Sequence, residues 1–324
     1  MPPSPSAALT PTFSFGTGSD LSGFRVDRMM NADDIAPAAA MPLSPHETII
    51  EPNQAWLRLD WSQLWEYRDL LALLIHREFA SKYKQTILGP AWFILQPLMT
   101  SVVFTIFFGH VAKVPTDGIT PVLFYLCNQL GWNYLQQNLL NGGSIFTTNA
   151  YLFGKVYFPR LVMPISVVLS NLFACVLQLI SFLLISAAFM LFVPGTHGLV
   201  LTPGALLIPL LFLQTAALSL GVCLWMSSLT AKYRDLNQLL QFIVQLWMFA
   251  SPVILPLSNF PARWRWLAEL NPMTAILESF RLCLFGVGTL TEFSLTMSLS
   301  ITLLLLITGM LLFQRTERTF IDTV

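Results

Sequence analysis

The sequence predicts an all-α membrane protein of six spans, and three observations carry that prediction. Of its 324 residues, 55% are hydrophobic and 10% are charged. An ordinary soluble domain carries about 25% charge, so ionised groups are too few here to cover a water-facing surface. Apolar stretches also recur near the length of about 20 residues that a helix needs to cross the hydrocarbon core. They fall at roughly 90–112, 120–143, 163–193, 204–229, 237–257 and 293–313. Finally, lysine and arginine concentrate in every second connection, which is the pattern of a chain threading back and forth through a bilayer.

Net charge is zero and the isoelectric point is near 6.9. No basic stripe suited to a phosphate backbone is present, which argues against a nucleic-acid partner. The four cysteines, Cys127, Cys175, Cys223 and Cys283, stand singly in apolar context and read as small hydrophobes. His46, His76, His110 and His197 are isolated as well. No HExxH or Cys/His cluster points to a metal.

Residues 1–55 begin MPPSPSAALTPTFSFGTGSD, rich in proline, serine and alanine and without the basic start and apolar core of a signal peptide. They read as a disordered cytoplasmic tail, with the membrane domain over 56–324. The stretch 61–85 reads as a helix. Leu64, Tyr67, Leu71, Leu74, Ile75, Phe79 and Tyr83 recur at steps of three and four, while Glu66, Asp69, Arg77 and Lys84 fall mainly elsewhere. Its apolar run is too short to span, so it is expected along the cytoplasmic interface. That role is either a plain anchor or a working part.

Orientation follows from the flanking cations. Arg58, Arg68, Arg77, Lys82 and Lys84 precede the first span. Lys155 and Arg160 separate the second from the third, Lys232 and Arg234 the fourth from the fifth, and Arg315 and Arg318 follow the sixth. The opposite connections hold Lys113 against Asp117, and His197. Both termini are therefore expected in the cytoplasm. Arg263, Arg265 and Arg281 run against this rule. Around them Pro252, Pro256, Pro261 and Pro272 break the chain into pieces, and Asn271-Pro272 makes a cap followed by a first-turn proline. Two short helices entering and leaving the outer leaflet account for both the prolines and the arginines. Trp264 and Trp266 suit a membrane surface, and Glu278 and Arg281 are spaced to pair on one helix. Between the second and third spans, Asn149 is placed to cap two turns that end before Pro159. This segment is either a docking helix for a soluble partner or an ordinary loop.

The segment NQLGWNYLQQNLLN, Asn128 to Asn141, carries seven amides. Gln129, Asn133, Gln136, Gln137 and Asn141 share a helix face. Gln238, Gln241 and Gln245 repeat the pattern in the fifth span, and Gln96 adjoins Pro97 in the first. Such amides either clasp neighbouring helices, at about 0.6 kcal/mol each on average, or line a solvated path. Amides donate and accept without charge. With Tyr125, Trp132, Tyr134 and Trp247 nearby, they suit neutral, hydroxyl-rich cargo such as sugar chains. An ion path would show charged rings or acidic relays. There is no GxSxG and no aspartate pair within a span. Gly154-Lys155 lacks the rest of a phosphate loop, so an ATPase, if one drives transport, is expected to be a separate chain.

Six strings in order give the chain a family likeness. They are KYKQTILGPAWFILQPLMT (82–100), KVYFPRLVMP (155–164), KYRDLN (232–237), FASPVILP (249–256), ELNPMTAILESFR (269–281) and the terminal FQRTERTFIDTV. Together they resemble the type-2 ABC exporter permeases of bacterial surface polysaccharides, the O-antigen permeases above all, from about residue 56 onward. The resemblance implies a homodimer in the inner membrane with two separate nucleotide-binding ATPase subunits that carry the ATP and magnesium; no cofactor is expected in this chain. The cargo it implies is a lipid-pyrophosphate-linked glycan moved outward from the cytoplasmic leaflet.

By position, the resemblance makes 61–85 the interface helix and 149–159 the coupling helix on the ATPase, with Asn149, Tyr151, Leu152, Phe153, Lys155 and Tyr157 as docking residues. It makes 256–285 the outer re-entrant helices, with Arg263, Arg265, Glu278 and Arg281 at the exit. Spans one and five would form the lateral lipid entry. Arg77, Lys82 and Lys84 would meet the pyrophosphate, or serve topology alone. Gln96, Gln129, Trp132, Asn133, Gln136, Asn141, Gln238, Gln241, Gln245 and Trp247 would guide the sugars. A teichoic acid or capsule permease shares this layout, and a secondary transporter or channel acting alone is the alternative of a different class.

Overall fold

The computed structural model describes residues 65–83, 86–149, 158–193, 199–200, 202–233 and 235–321, all inside the compact unit Ala55–Val324. The expected tail, Lys84 and the docking residues Tyr151, Leu152, Phe153, Lys155 and Tyr157 lie outside the described residues. Every regular element among the described residues is helical.

Helix α1, Arg68–Tyr83, lies within the stretch 61–85 that the sequence predicts to be helical. Its apolar stripe is taken up by protein. Leu74 is buried, with Tyr67, Leu70 and Leu71 packed in the same cluster as Val162, Met163 and Val167, and Phe79 meets Phe173 edge-on at 5.0 Å. Helix α2, Trp92–Phe104, follows a short 3-10 turn at Gly89–Ala91 and runs on as a π-helical stretch, Thr105–Val111. The connection to the next helix reverses tightly, with Lys113, Asp117 and Gly118 all at positive φ (52°, 52° and 81°). Aspartate tolerates that conformation better than most residues.

Helix α3, Pro121–Gly143, is the centre of the bundle. It packs against α2 and against four helices named below: α5, α6, α7 and α9. Leu123 to Trp132 are buried without a break, because α3 has neighbours on every side. A single turn, α4 (Ile145–Thr148), follows. Helix α5, Val162–Phe192, has 31 residues, about 46 Å at 1.5 Å per residue. That exceeds the roughly 30 Å hydrocarbon core, as its length in the sequence suggested. Helix α6, Ile208–Lys232, pairs closely with the final helix α10, Glu292–Ile321. A Cβ at Gly221 would stand 2.7 Å from the Leu306 nitrogen and 2.8 Å from the Leu305 carbonyl carbon. Only glycine lets these backbones approach so closely.

The fifth predicted span is corrected. Helix α7, Leu236–Phe249, has 14 residues, about 21 Å, and the chain then turns through Ala250–Ile254 instead of continuing to residue 257. Pro252 is a poor helix continuer, and Ser251 Oγ bonds the Trp247 carbonyl at 2.8 Å, near where the helix stops. Two short helices follow, α8 (Ala262–Leu270) and α9 (Pro272–Phe285). Asn271 caps α9 as the sequence requires, accepting from the Met273 N–H at 3.1 Å with Pro272 behind it, and Gly286 ends the helix at φ 70°. Four helical runs among the described residues are long and apolar enough to cross a membrane: Gly89–Val111, Val162–Phe192, Pro203–Lys232 and Glu292–Glu317. Helix α3 has the length, but its amides remove it from that set.

Candidate functional site: a polar recess beside helix α1

A recess of about 160 Å³ opens where α1, α2, α3 and α5 meet. Lys82 comes from the last turn of α1. Trp92, Phe93 and Gln96 come from the first turns of α2, Asn133, Gln136 and Gln137 from the second half of α3, and Asn171 and Gln178 from α5. In the sequence these residues are up to 96 positions apart, and only the packing of four helices around the Pro97 end of α2 brings them together.

The Lys82 ammonium donates to Asn171 Oδ1 at 2.7 Å. Asn171 Nδ2 donates in turn to Asn138 Oδ1 at 2.8 Å, and Asn138 Nδ2 to Ser219 Oγ of α6 at 2.9 Å. Lysine has no acceptor, so each amide in this chain has one workable orientation. Burial pulls the Lys82 ammonium below its ordinary pKa, with the Glu78 carboxylate one turn earlier offsetting part of that effect. No carboxylate touches Lys82 among the described residues. Glu78 instead receives Arg77 at 3.3 Å.

The amides divide into two sets. Asn128, Gln129 and Asn138 are buried and bonded: Asn128 to the Val253 carbonyl (3.0 Å), Gln129 to Ser101 Oγ on α2 (3.0 Å), and Asn138 as above. Gln129 and Asn138 are interhelical clasps, and Asn128 ties α3 to the turn after α7 while its Oδ1 has no partner. Gln96, Gln136, Gln137 and Gln178 make no side-chain hydrogen bond to any described residue and are at least partly exposed. Asn133 joins the sets, donating to Gln129 Oε1 at 3.5 Å while lining the recess.

Other residues of the sequence reading lie elsewhere. Gln238, Gln241 and Gln245 sit on an exposed face of α7, whose buried residues are Leu240 and Val244. Trp132 is buried edge-on to Trp247 at 6.3 Å, Trp247 Nε1 donates to Asn271 Oδ1 at 2.9 Å, and Asn141 is half-buried. Arg77 does not reach the recess; it donates to Asn149 Oδ1 at 3.0 Å, tying α1 to the end of α4. Asn149 closes α4, and the residues it was expected to cap, 150–157, are outside the described set.

Glu278 and Arg281 form a buried knot on α9. Glu278 Oε1 accepts from Arg281 Nη2 and from the Leu257 N–H (3.1 Å), and its Oε2 accepts from the Thr289 N–H (3.0 Å). Arg281 lies over the Phe124 ring at 5.0 Å and 4.0 Å from Asp117, which receives Ser258 Oγ. Both side chains are 1% exposed. Arg263 lies near Trp264, and Arg265 pairs with Glu269 at 3.2 Å on the largely exposed α8.

The sequence reading missed Asn171, Gln178 and the bonding role of Asn138. Asn171 and Gln178 are seven apart, so they share a helix face, and each stands alone in an otherwise apolar span. That isolation in an apolar span is the signal the sequence carries for them.

Comparison with known proteins places this architecture. The model of the ABC-2 type transporter family matches residues 69–285, from α1 through α9. This chain belongs to that family. It is also 32% identical over 222 residues to the O-antigen export system permease protein RfbA of Myxococcus xanthus, covering 68% of this chain and 81% of that protein. Two proteins of the same name from Klebsiella pneumoniae are 26% and 25% identical, each over 78% of this chain and 94% of its own length. As an ABC-2 type transporter the chain is a multi-pass membrane permease and not an enzyme.

Proposed function

We propose that this ABC-2 permease is the membrane subunit of an ATP-driven exporter that moves a lipid-linked, O-antigen-like glycan outward across the bacterial inner membrane. The observation that carries the reading is the recess, which sets one ammonium beside a wall of unbonded neutral amides. That lining suits hydroxyls next to a phosphate and offers nothing of the charged rings of an ion pore. The names of the three relatives point to the same cargo and favour it over teichoic acid.

In this reading the chain pairs with a second copy and with two nucleotide-binding subunits. Helices α2, α3, α5, α6 and α10 cross the membrane, and α7 with the re-entrant α8 and α9 completes a sixth passage, with both termini cytoplasmic. The exposed stripe Gln238, Gln241 and Gln245 on α7 then faces the path between the two copies. ATP hydrolysis reaches the bundle through residues 149–159, and the Arg77–Asn149 hydrogen bond ties that segment to α1.

The test is reconstitution into proteoliposomes with and without a P-loop ATPase subunit that co-purifies with the chain. Outward movement of a polyprenyl-diphosphate-linked glycan is expected only with the ATPase and ATP. Solute flux through this chain alone, driven by an ion gradient, would refute the exporter reading.

A further inference from the structure

The recess has features that the general function does not require. It is lined by one chain, with no residue of α7 among its lining. At about 160 Å³ it falls below the roughly 300–1,000 Å³ of pockets that enclose a drug-sized ligand, so it has room for a single polar unit and not for a chain. Its only charged lining residue among those described is Lys82. The ammonium has three donors, and the described structure uses one of them, on the neutral Asn171. Glu78, one turn earlier on α1, acts on Lys82 through space but does not contact it, being turned to Arg77, so the partly buried ammonium keeps an open position for an anion. Around it Gln96, Gln136, Gln137 and Gln178 hold unbonded carboxamides, and Trp92 presents an indole that is 45% exposed. Carboxamides both donate and accept, which matches hydroxyls and leaves no preference for ions.

Building on the exporter reading, we infer that this recess is a binding site for one phosphate-linked sugar unit, with Lys82 contacting the phosphate, the four glutamines contacting sugar hydroxyls, and Asn171 acting as the positioning residue for Lys82. Asn171 is suited to that task because both ends of its amide are committed. Its oxygen holds the ammonium and its nitrogen is anchored on Asn138. An arriving phosphate takes the free donors of an ammonium already aimed into the recess, and little side-chain ordering remains to oppose binding. The plain alternative, a lysine that only reaches toward the membrane surface, leaves the four unbonded amides and the Asn171 contact without a purpose.

The same chemistry is found in a lipid-borne sugar diphosphate, a sugar-free lipid diphosphate and a free sugar phosphate, and the experiment separates them. The permease is purified with its ATPase partner in nanodiscs of phosphatidylcholine and checked for monodispersity and basal ATP hydrolysis. Three probes are titrated by scintillation proximity: polyprenyl diphosphate bearing one N-acetylglucosamine, polyprenyl diphosphate without sugar, and free N-acetylglucosamine 1-phosphate. The wild type is expected to bind the sugar-bearing lipid most tightly. Lys82→Met is expected to weaken both lipid probes by roughly tenfold to a hundredfold, the range of a lost charge-assisted hydrogen bond, with Lys82→Arg restoring part of the loss. The pair Gln136→Leu and Gln178→Leu is expected to weaken the sugar-bearing probe alone. Asn171→Leu is expected to lower affinity for both lipid probes, because the ammonium is no longer held in place.

Equal binding of sugar-bearing and sugar-free lipid would overturn the sugar half of the inference and reduce the recess to a phosphate contact. Unchanged affinities in Lys82→Met and the double glutamine variant would overturn all of it. Export by the wild-type complex is measured in parallel. If export proceeds while the recess variants bind normally, only this inference falls; if the wild type exports no glycan, the exporter reading falls first.

Discussion

Two polar regions sit inside this apolar bundle and are built on opposite terms. In the knot on α9, Glu278 uses both oxygens on Arg281 and two backbone N–H groups, and both side chains are shut away from solvent. In the recess, one ammonium and four glutamines keep donors and acceptors that no described residue takes up. Protein takes up both carboxylate oxygens of Glu278, and although Arg281 Nε and Nη1 have no hydrogen-bond partner, both side chains are sealed from any solute, so the knot behaves as structure. It holds the turn before α8 and the connection after α9 against each other. The recess keeps its bonding capacity for something else. Polarity alone does not mark a functional site in a membrane helix; unspent hydrogen-bonding capacity that a solute can reach is the better guide.

The sharpest way to break this contrast is at the knot. Arg281→Leu leaves Glu278 as an uncompensated buried charge, an expected loss of about 3–5 kcal/mol. Thermal unfolding in detergent and the yield of assembled protein measure it. Adding Glu278→Leu to that variant should recover part of the loss, since the unpaired charge is then gone. A knot variant with wild-type stability would erase the distinction drawn here.

Next in size is the clasp set. Asn138→Ala strips partners from Asn171 Nδ2 and leaves a gap beside Ser219, an expected cost of about 1–3 kcal/mol in the same melt. Comparable in scale, Gly221→Ala forces a methyl against the Leu305–Leu306 backbone and should cost about 1–3 kcal/mol by overpacking. A shifted α6–α10 crossing would be readable by cross-linking.

Gln136→Leu should change stability by no more than about 0.5 kcal/mol, as for surface positions without partners, while export in the reconstituted complex falls. A large loss of stability would show that this amide clasps a helix after all.

The smallest effect concerns pH. Because the folded state lowers the pKa of Lys82 beneath its ordinary 10.5, the folded protein releases that proton before the unfolded chain does. The unfolded chain binds more protons in that interval, so stability from this group rises as pH climbs from the folded-state pKa towards 10.5. Lys82→Met should flatten that slope, and the difference between the two melting curves across alkaline pH checks the sign.

Much of this protein was legible in the sequence by itself. Helical class, four apolar helical runs long enough to cross a membrane, the helix within 61–85, and the Asn271-Pro272 start of α9 all follow from local rules: apolar length, periodicity and capping act within one element. The pairing of Glu278 with Arg281 was readable because it spans three residues of one helix. The early end of α7 was less plain, since Pro252 marked a break and only the turn at Ala250–Ile254 fixed where the chain leaves the helix. The division of the amides belongs to the tertiary structure. Asn138 and Gln136 are two residues apart on α3, yet one is sealed against Asn171 and Ser219 and the other opens to the recess. Helix spacing says which side chains share a face. What stands opposite that face depends on how four helices meet, and that meeting decides whether an amide is spent on a neighbour or kept for cargo.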